Sequence, residues 1–262
     1  MLKTEIKYAL VTGASKGIGK AMAIALAKRK RNLLLIARSA DELNALKTDI
    51  IAQYGVQVDI LPTDLSLPDS PQLVSNWVTE KGYAVDILIN NAGYGLWGKF
   101  GELSLASQLE MCQLNMNTVT SMSHLFLPAL TQHHEAYILN ISSTAAYQAV
   151  PTLAIYSATK AYVLSFTRAL RFELKDGPVS VSCLSPGPVD TGFAHRAGLD
   201  AFSKMAEKFN MKPDDVAEIA LNGMFAKKSE IIPGFTNIVS VYANRILPKG
   251  FIEKMAAGIY KT

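Results

Sequence analysis

Short runs that are apolar almost throughout alternate along this chain with longer amphipathic ones, and no tight hairpin turn joins any two of them. The short runs are Tyr8–Val11, Leu33–Ala37, Val56–Leu61, Val85–Ile89, Ala136–Ile141 and Val179–Leu184. A strand with one wet face alternates apolar and polar residues, whereas a strand covered by helices on both faces is apolar on both. Segments near 17–30, 40–54, 70–81, 105–132 and 154–175 carry helical periodicity, and a last helix near 213–227 precedes a short strand at Glu230–Ile232. This order predicts an α/β fold, a doubly wound parallel sheet of Rossmann type with helices on both faces. Such sheets bind ligands beyond the carboxyl ends of their strands, where the strand order reverses. The chemistry is therefore expected just after each strand.

No repeat, low-complexity stretch or linker divides the 262 residues, so a single domain over 1–262 is expected. Apolar residues make up 49% and charged residues 18%, which excludes a disordered chain. A net charge of +4 gives no case for nucleic acid. The run Lys28-Arg29-Lys30-Arg31 suits the negative pole of a helix end, with an anion-binding or localisation signal as the alternative. Cys112 and Cys183 form no CxxC or Cys/His cluster, so neither a disulfide framework nor a metal site is expected, and both read as small core residues. His133-His134 lacks ligand-type neighbours and reads as a solvated helix end. Met1–Lys7 lacks the apolar stretch of a signal peptide, and no run approaches the length of a membrane span. A cytoplasmic protein is expected.

The first strand runs into Thr12-Gly13-Ala14-Ser15-Lys16-Gly17-Ile18-Gly19. Glycines at this spacing, in a strand-to-helix turn, let the backbone turn sharply and let a pyrophosphate approach the helix N-terminus. The spacing is GxxxGxG, neither the GxGxxG fingerprint nor a P-loop. At the end of the second strand, an acid would accept bonds from the ribose hydroxyls of NAD. Ala37-Arg38-Ser39 stands there instead. Arg38 is either a solvated strand-end charge or a fork for a 2′-phosphate, with Lys16 as a second cation. The cofactor expected is NADP(H).

Of ten tyrosines, only Tyr156 has a lysine four residues on, Lys160, in Tyr156-Ser157-Ala158-Thr159-Lys160. On a helix the two share a face. Reducing a carbonyl needs a hydride at carbon and a proton at oxygen, and a free phenol with a pKa of about 10 is a poor donor and base near neutrality. Lowering it by about three units takes about 4 kcal/mol, and a cation about 4 Å away supplies a similar amount at an effective dielectric of about 20.

In ordered motifs the chain resembles the short-chain dehydrogenase/reductase family over roughly residues 6–232. The motifs are Thr12–Gly19, Asp64-Leu65, Asn90-Asn91-Ala92-Gly93, Asn115, Ser142-Ser143, Tyr156–Lys160 and Pro186-Gly187-Pro188-Val189-Asp190-Thr191. The resemblance implies that Tyr156 is the acid–base residue and that Lys160 lowers its pKa and binds the nicotinamide ribose. Ser143 would hold the substrate oxygen, with Ser142 the alternative. Asn115 would hold a water of the proton relay, with Asn117 the alternative. Gly13, Ser15, Lys16, Gly17, Ile18 and Gly19 would cradle the cofactor, and Arg38 and Ser39 would meet its 2′-phosphate. Asp64 and Leu65 would meet the adenine, while Asn91, Ala92 and Gly93 would contact the ribose. Pro186, Gly187, Val189 and Thr191 would hold the nicotinamide. A homodimer or homotetramer through the helices near 105–132 and 154–175 is implied as well.

The partner expected is a small carbonyl or alcohol. A helical lid is expected around 193–212, with Phe193, Phe202, Met205, Phe209 and Met211, and Tyr94, Leu96 and Trp97 can line the same cleft. The tail over 235–262 can cover the cleft, pack between subunits or touch a membrane surface, the last disfavoured because Pro248 and Gly250 break its apolar face. A non-catalytic NADP(H)-binding sensor would share the cofactor motifs but has no need of the Tyr, Lys and Ser set. A sugar-nucleotide epimerase would have GxxGxxG spacing and a larger C-terminal domain.

Overall fold

The computed structural model describes residues 6–190 and 211–259. Seven parallel strands form one sheet in the order β3-β2-β1-β4-β5-β6-β7. They are β1 (Lys7–Thr12), β2 (Asn32–Ala37), β3 (Val58–Pro62), β4 (Ala84–Asn90), β5 (Ala136–Ile141), β6 (Val179–Leu184) and β7 (Glu230–Ile231). The helices that bear on the site are α1 (Gly17–Lys28), α2 (Ala40–Tyr54), α3 (Ser70–Glu80), α4 (Leu105–Cys112), α5 (Thr118–Leu130), α6 (Ala154–Glu173), α7 (Pro213–Phe225), α8 (Phe235–Ile246) and α9 (Lys249–Ile259).

The nearly continuous apolar runs have the reason the sequence suggested. Ala9, Val11, Leu33, Leu35, Ile87 and Ile89 point into one core, with Met22 and Leu26 of α1, Leu43 and Ile50 of α2 and Leu221 of α7. Tyr8, Leu10, Leu34, Ile36 and Leu88 point into the other, with Val74 of α3 and Met122 and Phe126 of α5. Each buried side chain of this size contributes about 1.5–3 kcal/mol, so both faces of the sheet are needed for stability. The order reverses between β1 and β4, which opens the crevice at their carboxyl ends.

Three expectations change. The helix expected over 105–132 is interrupted by a π-helical turn, Gln113–Asn117, between α4 and α5. The basic run does more than close α1. Arg29 bridges to Glu218 at 2.6 Å and to Asn222 at 2.9 Å on α7, and Arg31 pairs with buried Asp86 at 3.0 Å. His133, read as solvated, is buried. Cys183 is buried and Cys112 half-buried, and both are free thiols. Thr191 and the lid expected over 193–212 lie outside the described residues, Met211 and Lys212 apart. No helix among the described residues is long and apolar enough to cross a membrane.

Candidate active site

The ends of β1 and β4 are stitched together. Thr12 Oγ1 donates to the Ile89 carbonyl at 3.1 Å and accepts from the backbone N–H groups of Asn91 and Ala92 at 2.9 and 3.0 Å. The Asn91 amide donates to the carbonyls of Thr12 and Gly13 at 2.9 and 3.2 Å. Asn91 therefore shapes the glycine turn through its side chain. Gly13 sits at φ +63°, where a side chain would be strained. A Cβ on Gly19 would come within 2.3 Å of the Gly13 carbonyl oxygen. Ala14, Ser15 and Ile18 complete the turn, and α1 opens at Gly17 with no side-chain cap from Lys16. No N-cap side chain takes up its first N–H groups, an arrangement that suits an anion.

At the end of β2, Ser39 caps α2 by accepting from the Glu42 N–H at 3.3 Å. Arg38 stands exposed, 3.9 Å from Asp64. The other Asp64 oxygen accepts from the backbone and hydroxyl of Ser66, and Leu65 is buried beside it. Lys16, expected to be a second cation for a phosphate, is paired with Glu42 at 2.6 Å.

Tyr156 and Lys160 lie on the first turns of α6, both buried. Lys160 Nζ donates to the Ile141 carbonyl at 3.0 Å and lies 5.8 Å from the centre of the Tyr156 ring. Burial pulls its pKa down to about 8. Ser142 donates to the Lys160 carbonyl at 2.7 Å and is buried, so its hydroxyl is spent inside the protein. Ser143 is half-buried and caps a 3-10 turn, Thr144–Tyr147, by accepting from the Ala145 N–H at 3.1 Å. Its own O–H proton is left to donate.

The two asparagines differ in the same way. Asn117 is exposed and donates to Gln113. Asn115 is buried in the π-helical turn and donates to the Tyr94 carbonyl at 2.9 Å and to Thr159 Oγ1 at 3.1 Å. A Cβ on Gly93 would lie 2.9 Å from Asn115 Oδ1 and 3.4 Å from Lys160 Nζ, so the turn after β4 meets both residues. Tyr94, Leu96, Trp97 and Ala145 pack with Tyr156, Met111, Val150 and Leu153 in one apolar cluster.

Pro186 is buried after β6, and Val189 bridges to Met211. A Cβ on Gly187 would fall 2.4 Å from Asn237 Oδ1, so α8 closes over this loop. Asn237 thus brings α8 against the Pro186 loop, while Ile238, Val239, Tyr242 and Ile246 of the same helix stay exposed. Asn237 carries no motif, and nothing in the sequence pointed to it. Thr159, which takes the Asn115 bond and donates to the Tyr156 carbonyl at 2.8 Å, lay unassigned inside the Tyr156–Lys160 motif.

The sequence model for short chain dehydrogenases matches residues 7–202. The chain belongs to the short-chain dehydrogenase family. Similar to it are human 17-beta-hydroxysteroid dehydrogenase type 3, 31% identical over 92% of this chain and 78% of that protein, and the mouse very-long-chain 3-oxoacyl-CoA reductase, 35% identical over 72% and 61%. A short-chain dehydrogenase from Sphingobium yanoikuyae in complex with NADPH superposes with a TM-score of 0.82 at 29% identity, covering 94% of each chain. As a short-chain dehydrogenase, the protein is an oxidoreductase that interconverts a small carbonyl and an alcohol by hydride transfer with a nicotinamide cofactor. No group of three or more metal-ligand side chains exists among the described residues.

Proposed function

We propose that this short-chain dehydrogenase works with NADP(H), uses Tyr156 as its general acid and base, and acts on a lipophilic carbonyl or alcohol. The observation that carries the reading is the meeting of Lys160, Asn115 and Gly93 beside Tyr156, with the 3-10 turn that Ser143 opens in contact with α6.

The chain's residues suit the cofactor. The N-terminus of α1 offers N–H groups without a side-chain cap, and Arg38 offers an exposed guanidinium where an acid would repel a 2′-phosphate. Gly13, Ser15, Lys16, Gly17, Ile18 and Gly19 would hold the pyrophosphate, and Arg38 and Ser39 the 2′-phosphate. Asp64, Leu65, Asn91, Ala92 and Gly93 would hold the adenosine. Lys160, Pro186, Gly187, Val189 and Thr191 would hold the nicotinamide end. When bound, NADP(H) supplies the hydride in reduction and takes it in oxidation.

The protein's own residues move the proton. Ser143, held by the Ala145 N–H, donates its free O–H to the substrate oxygen and orients it. Tyr156 Oη gives its proton to that oxygen in reduction and takes it back in oxidation. The Lys160 ammonium favours the phenolate and so brings the phenol into working range. With a pKa of about 8, Lys160 is mostly charged at neutral pH. Asn115 holds the first turn of α6 through Thr159, and so holds Tyr156 in place.

The apolar wall of Tyr94, Leu96, Trp97 and Val150 beside Tyr156 supports a lipophilic substrate. The steroid and acyl-thioester names of two relatives point the same way. The whole activity is assigned to one catalytic domain. A homodimer or homotetramer is supported by Leu105 and Leu109 of α4 and Phe172 of α6, which stand exposed. Two free cysteines suit the cytoplasm.

The test is NADPH oxidation, followed by absorbance, across ketones, aldehydes and 3-oxoacyl thioesters, with Tyr156→Phe beside the wild type. Turnover should fall at least about 100-fold in the variant while NADPH binding persists. A variant as active as the wild type, or a wild type that reduces no member of the panel, overturns the reading.

A further inference from the structure

Tyr147 closes the 3-10 turn that begins at Ser143, and its hydroxyl is hydrogen-bonded to two groups from elsewhere in the sheet. One is Ser185 Oγ at 3.1 Å, on the residue between β6 and Pro186. The other is the Glu230 carboxylate on β7. Backbone bonds frame the same junction. Thr144 N–H donates to the Pro186 carbonyl at 2.9 Å, and Ser185 N–H to the Ile231 carbonyl at 2.8 Å. Glu230 also lies 4.0 Å from Arg168 on α6, the helix that carries Tyr156 and Lys160.

We infer that Tyr147 and Glu230 are positioning residues that fix the Ser143 hydroxyl against the Pro186 loop and α6. The inference rests on the assignment of Ser143 as the group that holds the substrate oxygen. The 3-10 turn is only four residues long, has no buried side chain of its own and carries Ser143 at its first end. A short turn is held by its anchors. Here the anchor at the far end is a half-buried phenol bonded to a carboxylate, and such a charge-assisted bond is stronger than one between neutral groups. Burial and the adjacent Glu230 carboxylate hold the Tyr147 phenol in its protonated form. The proton therefore stays in the clamp, and Tyr147 acts on geometry. A displacement of about 1 Å at a substrate-holding group costs on the order of 100-fold in rate.

The experiment is a double-mutant cycle between Tyr147→Phe and Ser143→Ala, with kcat, KM for NADPH and the thermal midpoint measured for each protein. Tyr147→Phe alone should lower kcat by about 10-fold or more with KM for NADPH within about twofold. On the Ser143→Ala background it should change kcat by less than about twofold, because the group it positions is gone. A wild-type kcat in Tyr147→Phe overturns the inference. So does an equal loss on both backgrounds, which would make Tyr147 a participant in its own right. If Tyr147→Phe lowers the midpoint too far for comparison, Glu230→Gln replaces it in the cycle with the same expected and overturning results. Tyr156→Phe, run alongside, separates this inference from the acid–base assignment: full turnover in that variant sinks the assignment of Tyr156, while the cycle still decides the role of Tyr147.

Discussion

Asn115 and Tyr94 hold each other by a two-way bond: Asn115 Oδ1 accepts the Tyr94 N–H at 3.2 Å, and Asn115 Nδ2 donates to the carbonyl of the same residue at 2.9 Å. The second amide proton goes to Thr159, so one buried side chain joins the π-helical turn, the apolar wall and the start of α6. Replacing Asn115 by Ala takes the partner from the Tyr94 N–H and carbonyl and from the buried Thr159 hydroxyl. Each unsatisfied group costs about 1–3 kcal/mol. Asn115→Ala should lose at least about 2 kcal/mol of unfolding free energy in urea, together with at least about 10-fold in kcat. An unchanged denaturation midpoint would show that the network does not stabilise the fold.

The sheet was legible in the sequence because burial on both faces leaves a signature that survives without any tertiary information. The cofactor turn and the Tyr156–Lys160 pair were legible because their chemistry demands fixed spacings. The π-helical turn at Gln113–Asn117 was not, since the periodicity around it continues across the insertion. Asn237 and Tyr147 were hidden for a different reason. Each reaches a partner across the fold, Gly187 in one case and Glu230 in the other, and neither pair shares a local pattern. The pairing of Lys16 with Glu42 was missed in the same way.

Lys160 gives a pH prediction whose sign follows from burial. Its pKa falls from 10.5 in the unfolded chain to about 8 in the fold. Below about 8 both states carry the proton and the folded protein bears the full penalty of a buried ammonium. Between about 8 and 10.5 the unfolded chain binds the extra proton, so stability rises with pH. Lys160→Met removes the penalty and loses one bond to the Ile141 carbonyl. The buried charge outweighs a single bond, so the variant should be at least as stable as the wild type at pH 7, with the gap narrowing toward pH 10. Carbonyl reduction by the wild type should fall as pH rises through about 8, because Lys160 and Tyr156 must both be protonated. Urea titrations at pH 7 and 10 and a pH–rate profile check both halves. A Met variant clearly less stable at pH 7 would mean that the ammonium is stabilised by groups beyond Ile141.

Glu42 competes for Lys16, and this sets how the cofactor preference should respond to mutation. Arg38 stands exposed at the end of β2, and its ion pair among the described residues is a long contact to Asp64, so its fork is open to a 2′-phosphate. Lys16 is held by Glu42 at 2.6 Å, although both side chains are partly exposed. A bond to a charged group is worth about 1.5–3 kcal/mol, which is roughly 10- to 100-fold in affinity. Arg38→Ala should therefore raise KM for NADPH by about that factor and leave KM for NADH within about twofold. The exposed Lys16–Glu42 pair is worth about 0.2–1 kcal/mol. Glu42→Gln should free Lys16 and tighten NADPH by no more than about fivefold, most visibly at low ionic strength, where exposed charges are least screened. The two variants move NADPH in opposite directions and leave NADH nearly still. If Arg38→Ala weakens both cofactors alike, Arg38 only shapes the end of β2, and discrimination between the two nicotinamides has to come from another residue.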